Sequence, residues 1–170
     1  MTDAEVLFVE YRERLFRYLA RASGSPETAQ DLTQEVFVRV TRSAVPTAEA
    51  ARIAAWLFRI ARNVALDHHR QNARRPAIAP VTADYPRAPS QEVCASLDQA
   101  LAMLDAVDRD VFLMREVSGL SYDEIATACD LSPDAVRSRI YRSRLQLRET
   151  LSADIALVRK RPIRQSGAPS

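Results

Sequence analysis

The stretch LSYDEIATACDLSPDAVRSRIYRSR, residues 120–144, contains the start signals of two successive helices. Ser121 and Glu124 stand three residues apart, the spacing of a capping box in which the two residues cap each other's backbone N–H groups. Leu120 and Ile125 flank the pair at the spacing of a hydrophobic staple. The sequence therefore predicts that a helix begins next to Ser121.

This first helix is short, because a turn follows it closely. Asp130 and Leu131 form the predicted turn, and Ser132 and Pro133 then supply a second N-cap and a residue suited to the first helical position. Two helices joined by a turn of a few residues make a helix-turn-helix. Helix-turn-helix units commonly place their second helix in the major groove of DNA.

The second of these helices has two different faces. Its predicted inward stripe consists of Val136, Ile140 and Leu147. The outward face then carries Arg137, Ser138, Tyr141 and Arg142. Residues 132–148 hold five arginines and one acid, whereas a face that only needed solubility would mix both signs. DNA binding is the favoured interpretation, and a structural hairpin with solvated arginines is the alternative.

Elsewhere the apolar residues also recur at steps of three and four, which predicts an all-helical fold. A first helix ends near Gly24, and Ser25 and Pro26 begin a second that runs to about Arg42. A third helix follows Pro46, with an inward stripe of Ile53, Leu57, Ile60 and Val64. Further helices pass through Leu97, Leu101 and Leu104, and through Val111 and Met114.

Four prolines among few large apolar residues mark residues 74–89 as a flexible linker. The predicted organisation is a helical domain at 1–73, this linker, a helix-turn-helix domain at 90–152, and a basic tail at 153–170 that is disordered at its end. The charge distribution agrees with this division. Residues 1–75 carry 12 Arg against 9 acids, and residues 76–110 carry 2 Arg against 6 acids.

Composition argues against several classes of protein. The three glycines do not cluster, so a glycine-rich phosphate loop is not expected. Cys94 and Cys129 lack the CxxC spacing of a zinc site, and we expect both to be buried small hydrophobes in a reducing cytoplasm. No signal peptide, membrane insertion, metal or cofactor is expected, nor an enzyme, because no nucleophile and base are paired.

The helix-turn-helix half resembles region 4 of the bacterial extracytoplasmic-function sigma factors. The matching segments are LDAVDRDVFLMRE at 104–116, GLSYDEIA at 119–126 and VRSRIYRSR at 136–144. The first half resembles region 2 of the same family through YLAR at 18–21, DLTQEVF at 31–37 and AWLFRIARN at 55–63. The resemblance implies two small domains, a region 2 bundle of three to four helices and a region 4 helix-turn-helix bundle.

The resemblance also implies partners, namely core RNA polymerase, double-stranded promoter DNA, the melted minus-10 strand and an optional anti-sigma factor. The residues implied at the minus-35 element are Ser132, Arg137, Ser138, Arg139, Tyr141, Arg142 and Arg144, with Arg139 and Arg144 nearer the DNA backbone. Those implied at the minus-10 element, beside the loop 43–51, are Arg52, Arg59, Arg62, Asn63, His68 and Arg70. The residues implied to dock on polymerase are Asp31, Gln34, Glu35 and Phe37.

The sequence departs from the family pattern in three places. The family usually has proline at the position of Asp105, glycine at Asp130, and a Gly-Thr pair at Asp134-Ala135. Asp105 can cap the next helix, and aspartate tolerates a left-handed turn. We therefore expect the fold to survive these changes, whereas Asp134 puts an acid near the end of the recognition helix that approaches DNA.

Other single residues have ordinary interpretations. Trp56 is expected to anchor the core, and His68-His69 to form polar surface near DNA. The chain is predicted to be a cytoplasmic sigma factor that directs transcription initiation. The alternatives are a sigma-like module that sequesters an anti-sigma factor and a helix-turn-helix regulator that acts without polymerase.

Overall fold

The structure, a computed structural model, describes the backbone of residues 3–46, 49–74 and 89–160 and the side chains of 4–46, 49–74 and 94–153. Within these residues there are seven helices and no strand, which confirms the all-helical prediction. The helices are α1 (Asp3–Ser23), α2 (Pro26–Thr41), α3 (Ala50–Arg74), α4 (Pro89–Ala102), α5 (Ala106–Glu116), α6 (Tyr122–Cys129) and α7 (Pro133–Lys160).

The first domain consists of α1, α2 and α3, which all pack against one another. Each helix turns its apolar stripe inward, and the rings of Tyr18 and Phe58 meet edge to face at 5.7 Å between centroids. Val36 and Val40 of α2 and Leu57 of α3 are fully buried beside them. Burial of these stripes holds the three helices together, since each isolated helix would be marginal in water.

The junction between α1 and α2 forms as its sequence predicts. Gly24 adopts a left-handed conformation, with φ of 72°, and so ends α1. The Ser25 side chain then accepts a hydrogen bond from the Thr28 N–H at 3.2 Å, and Pro26 occupies the first turn. These local signals fix where α2 starts.

The second domain consists of α4 to α7 around the buried side chains of Leu113, Met114, Ile125 and Ile140. The capping box at Ser121 is complete, because its hydroxyl accepts from the Glu124 N–H at 3.2 Å and the Glu124 carboxylate accepts from the Ser121 N–H at 2.6 Å. The predicted start of α6 is therefore confirmed.

Two of the departures from the family pattern keep the backbone intact, as expected. Asp105 caps α5, where its carboxylate accepts from the Val107 N–H at 3.2 Å. Asp130 ends α6 in the left-handed conformation, with φ of 55°. Aspartate visits this region more readily than most residues, so it can replace a glycine at the turn of the helix-turn-helix.

The recognition helix α7 is longer than predicted. It continues to Lys160, whereas a tail was expected from residue 153. The reason is that Ala153 to Lys160 contain neither glycine nor proline, and nothing interrupts the helix before Pro162. The predicted linker lies outside the described residues except for its two ends, Arg74 in α3 and Pro89 in α4. Residues 161–170 also lie outside them.

The two cysteines differ from each other. Cys129 is buried against Met114, as predicted, and desolvation by burial raises its pKa to about 11. Cys94 is exposed, so the prediction that it is buried is wrong. Among the side chains of α4 that the structure describes, the buried ones are Ala100 and Leu101 in the C-terminal half of the helix, and Cys94 precedes that half.

The two domains pack against each other. The main contacts join α3 to α6 and α1 to α5. The helix that carries the predicted minus-10 arginines therefore lies beside the first helix of the helix-turn-helix.

Candidate nucleic-acid and polymerase interfaces

The outward face of α7 forms one shallow, open surface. Its lining consists of the four side chains predicted to face outward, Arg137, Ser138, Tyr141 and Arg142. All four are exposed, because the neighbouring stripe of Val136, Ile140 and Leu147 is buried in the domain core. Tyr141 keeps 64% of its surface exposed to solvent, which is unusual for an aromatic residue.

Arg137 is held by two neighbours at the N-terminal end of this surface. Its Nη1 donates to the Asp134 carboxylate at 3.0 Å, and its guanidinium lies over the Tyr122 ring, 5.4 Å from the centroid. Arg115 also lies over that ring, at 4.8 Å. Sequence reasoning did not assign Tyr122 a part in this surface, since the contact joins α6 to α7 across the turn.

Two arginines of α7, which were predicted to lie nearer the DNA backbone, contact α5 in the structure. Arg139 donates to Asp108, and Arg144 donates to Glu116. Arg139 is also partly buried by the contact, with 28% of its side chain exposed. The two pairs brace α7 against α5.

Ser132 is a helix cap in the structure. Its hydroxyl accepts from the Ala135 N–H at 3.2 Å, at the N-terminus of α7. The first turn of α7 is therefore held in place. The outward surface begins at this end of the helix.

The predicted minus-10 residues divide into two groups on α3. A helix turns by about 100° per residue, so four of them share one exposed stripe, namely Arg52, Arg59, Asn63 and Arg70. Arg62 lies beside that stripe. His68 lies about 180° around the helix from Arg59, and it is bonded to Asn72 at 2.8 Å. The structure thus separates His68 from the arginines with which the sequence grouped it.

Other aromatic residues of α3 connect helices within the first domain. His69 is within hydrogen-bonding distance of the Ala22 carbonyl, at 2.9 Å, and so ties α3 to α1. Trp56 packs partly buried against the core, as predicted.

Two of the α3 arginines are engaged by the second domain. Arg59 donates to the Asp130 carboxylate at 2.6 Å and also to the Thr127 carbonyl. Arg62 donates to Asp110 at 2.8 Å, and the Tyr18 hydroxyl donates to the other oxygen of the same carboxylate at 3.0 Å.

Asp110 is a buried carboxylate, with 5% of its surface exposed. Desolvation raises its pKa above the usual range, although the hydrogen bond and charge of Arg62 partly oppose this shift. Burial and the nearby charge of Asp110 raise the pKa of Tyr18 well above its ordinary value. The hydroxyl of Tyr18 therefore stays protonated and acts as a donor to Asp110.

The predicted polymerase-docking residues lie on α2. Asp31, Gln34 and Glu35 are exposed on adjacent turns, and Val38 continues their stripe with 40% of its surface exposed. Phe37 differs from them, because it is buried and packs edge to face against Phe8 at 4.8 Å. A stripe at intervals of three and four residues would have pointed to Val38 instead of Phe37.

The exposed stripe on α2 is reinforced from the side. Arg39 donates to Glu35 at 2.8 Å and to Asp67 of α3 at 3.2 Å. Glu35 is therefore held in place on the stripe, with 47% of its side chain exposed.

No group of His, Cys, Asp or Glu side chains suited to a metal ion occurs in the part of the chain that the structure describes. Of the helices described, none is long and apolar enough to cross a membrane.

Comparison with known proteins places both domains. Residues 7–75 match the family model described as Sigma-70 region 2, and residues 94–147 match the model described as Sigma-70, region 4. The chain is 34% identical to the ECF RNA polymerase sigma factor SigL of Mycobacterium tuberculosis over 155 residues, 85% of this chain and 86% of SigL. It is also 34% identical to SigE of Mycolicibacterium smegmatis, covering 89% of this chain but 63% of that longer protein.

Solved structures agree with these matches. The fold is similar to that of the sigma factor RpoE in complex with the anti-sigma factor NepR from Bartonella quintana, with a TM-score of 0.67, 25% identity, and coverage of 91% of this chain and 99% of that one. It is similar also to CnrH in complex with the cytosolic domain of CnrY, with a TM-score of 0.68, 30% identity, and coverage of 89% and 88%. With both sigma domains present in order and relatives that match along most of its length, the chain belongs to the extracytoplasmic-function RNA polymerase sigma factors.

Proposed function

We propose that this chain binds core RNA polymerase, directs it to promoters, and helps to open the duplex at the start of transcription. One observation carries the proposal. A region 2 domain and a region 4 domain lie in order in one chain, and the recognition helix of the second presents Arg137, Ser138, Tyr141 and Arg142 on a single exposed surface. A regulator that acted without polymerase would need only the second domain.

The outward surface of α7 is proposed to recognise the base sequence of the minus-35 element. Arginine can donate two hydrogen bonds to the edge of a guanine, and a serine hydroxyl can bond to several bases. Arg137 and Arg142 are the proposed base readers, and Ser138 and Tyr141 complete the surface between them. Ser132 contributes as the cap of the helix, and Arg139 and Arg144 contribute by orienting α7 on α5.

The exposed stripe of α3 is the proposed contact with the minus-10 element. Flipping a base out of the duplex costs a few kcal/mol, so cationic groups close to the phosphates are needed to stabilise the melted strand. Arg52, Arg59, Asn63 and Arg70 share that stripe, and Arg62 lies beside it. His68 is on the other side of the helix, so we propose that it lies at the edge of this site and not among the arginines.

The exposed stripe of α2 is the proposed docking surface for core polymerase. Charged groups on a docking helix act through complementarity with the partner surface. Asp31, Gln34 and Glu35 supply the polar groups, and the exposed Val38 supplies an apolar contact at the end of their stripe. Phe37 is buried, so its proposed role is to hold α2 in position through its packing against Phe8.

Further proposals concern organisation and partners. The boundaries that we propose are 1–73 for the first domain, 74–89 for the linker, 90–152 for the second domain, and 153–170 for a C-terminal basic segment. An anti-sigma factor is the proposed second partner, because two structures similar to this chain hold NepR and CnrY. The proposed location is the cytoplasm, and we propose that the chain has no catalytic activity of its own.

Run-off transcription with sigma-free core polymerase tests the proposal. The purified chain should give discrete transcripts from some fragments of its own genome, whereas core polymerase alone should give none. A chain that binds an anti-sigma factor but yields no discrete transcripts with core polymerase would instead be a sequestering module. A chain that binds DNA specifically but not core polymerase would be a simple regulator.

A further inference from the structure

Asp134 is an acid at the start of a helix that is otherwise basic. Residues 132–148 hold this one acid among five arginines. Asp134 lies in the first turn of α7, and its side chain is 89% exposed. The N-terminal residues of a recognition helix are the ones that contact base edges in the major groove. The family usually has glycine at this position, so the carboxylate changes the chemistry of the outward surface and not the course of the backbone.

One oxygen of this carboxylate is bonded to Arg137. The Nη1 of Arg137 donates to Oδ1 of Asp134 at 3.0 Å, and the guanidinium lies over the Tyr122 ring. Arginine has further donors on Nε and Nη2, which form the other edge of its planar fork. Arg137 can therefore donate two hydrogen bonds to the O6 and N7 of a guanine while its Nη1 stays on Asp134.

The second oxygen of Asp134 is available to DNA. Within the described part of the chain, no donor bonds to Oδ2. Asp134 and Arg137 are three residues apart, so they share one face of α7 and lie about 4.5 Å apart along its axis. Successive base pairs are about 3.4 Å apart. When Arg137 contacts one base pair from a helix that lies along the groove, the Asp134 carboxylate is therefore close to the adjacent pair.

We propose that Asp134 is a specificity-determining residue of this surface. One carboxylate oxygen orients Arg137 on a guanine, and the other accepts a hydrogen bond from the amino group of a cytosine or adenine in the adjacent base pair. The inference rests on the proposed role of α7 at the minus-35 element. Cytosine N4 and adenine N6 are donors in the major groove, whereas guanine O6 and thymine O4 are acceptors. An ionised carboxylate can only accept, so it favours the amino bases and disfavours the keto bases.

An acid in this position can also act on the helix alone. A negative charge in the first turn stabilises a helix through its dipole, whatever the DNA sequence. Asp123 is the counterpart of Asp134 in α6, because each is the exposed second residue of its helix. Asp123 lies on a different surface, beside Arg59. Asp123→Ala is therefore the matched control for Asp134→Ala.

Selection from a randomised duplex tests the proposal. The probe is a double-stranded fragment of a promoter that yields a discrete transcript, with its minus-35 element randomised. Holoenzyme formed with the parent chain or a variant binds the pool, and the bound DNA is sequenced. The parent should enrich a guanine next to a base that carries an amino group. In Asp134→Ala the preference for the amino group should fall by about fivefold or more.

The sign of a second change separates base selection from helix stability. Removal of the carboxylate removes its repulsion of keto oxygens, so sequences with guanine or thymine at the adjacent position should bind more tightly to Asp134→Ala than to the parent. A damaged helix would instead lose affinity for every sequence. Asp123→Ala should leave all base frequencies unchanged.

Asp134→Asn separates the roles of the two oxygens. The amide keeps an acceptor for Nη1 of Arg137 and gains an NH2 group that can donate to a keto oxygen. This variant should keep the guanine preference of Arg137 and raise the frequency of guanine or thymine at the adjacent position.

Three results would overturn the proposal: a parent chain with no preference for an amino base beside the guanine, base frequencies in Asp134→Ala equal to those of the parent, or the same change in Asp123→Ala. Arg137→Ala distinguishes this failure from failure of the proposed function. If Arg137→Ala loses the guanine preference while Asp134→Ala changes nothing, α7 still recognises the minus-35 element and only the role of Asp134 is wrong. If neither variant changes any base frequency, the role of α7 is wrong as well.

Discussion

Replacement of Arg137 by alanine distinguishes base reading from simple charge attraction on the recognition helix. Arg137 is exposed, with 61% of its side chain in solvent, and its partner Asp134 is 89% exposed. An exposed pair three residues apart on a helix contributes about 0.2–0.5 kcal/mol, and an exposed cation–π contact about 0.5–1 kcal/mol. Arg137→Ala should therefore leave the fold intact and lower its stability by no more than about 1 to 1.5 kcal/mol.

The expected loss in DNA recognition is larger and specific to position. A bidentate contact of arginine with guanine discriminates against the wrong base by about 1–3 kcal/mol, which corresponds to about 5- to 150-fold in Kd. Arg137→Ala should lose this discrimination at one promoter position and keep it at the others.

Arg148→Ala is the matched control. Arg148 lies eleven residues further along α7, which places it on the same side of the helix and about 16 Å closer to its C-terminus. The two variants lose the same charge from the same face. Alanine at 148 should weaken binding to every sequence alike and reduce the salt dependence, because counterion release depends on phosphates and not on bases.

The assay is the binding of holoenzyme, formed with each variant, to one promoter and to its single-base variants in the minus-35 element across a salt series. Arg137→Ala should flatten the preference at one position, and Arg148→Ala should flatten it at none. A uniform loss of affinity in Arg137→Ala, with every base preference unchanged, would refute the assignment of Arg137 as a reader.

Three further predictions concern the cap, the thiols and the docking surface. Ser121→Ala removes the acceptor of the capping box and should lower the free energy of unfolding by about 1 kcal/mol, measured by urea denaturation; an unchanged midpoint would contradict it. At pH 8, a pKa of about 11 leaves about one Cys129 thiol in a thousand ionised, so an alkylating reagent should label Cys94 first and Cys129 only after unfolding, as peptide mass mapping would show. Rapid labelling of Cys129 in the folded chain would contradict its burial. Glu35→Arg should weaken binding to core polymerase through charge reversal. The control Glu13→Arg, which alters another exposed acid paired with an arginine four residues on, should not. Equal affinities of the two variants in surface plasmon resonance would show that the docking surface lies elsewhere.

Local structure was predictable from the sequence where neighbours along the chain determine it. The caps at Ser25, Asp105 and Ser121 all formed, because each depends on backbone groups two or three residues away. The same holds for the outward face of α7, since the helical period fixes which side chains oppose Val136 and Ile140.

Contacts between distant parts of the chain were not predictable in this way. In the sequence, nothing distinguishes Asp110 from the other acids of its amphipathic helix. Its burial becomes apparent only when α5 packs against the first domain. Likewise, the contact between Arg139 and Asp108 could not be predicted, because the two residues are 31 positions apart in the sequence. The burial of Phe37 was not predicted, and the prediction that Cys94 is buried was wrong, because burial depends on which part of each helix the neighbouring helices cover.

Permanganate footprinting of promoter DNA tests the central claim most directly, because permanganate oxidises thymines that are no longer paired and stacked. Core polymerase supplied with this chain should make thymines reactive within the minus-10 region of a promoter that yields a discrete transcript, and the combined variant Arg59→Ala with Arg62→Ala should reduce this reactivity without abolishing binding to core polymerase. The claim that this chain directs promoter opening would be contradicted if core polymerase with the chain left the thymines as unreactive as core polymerase alone.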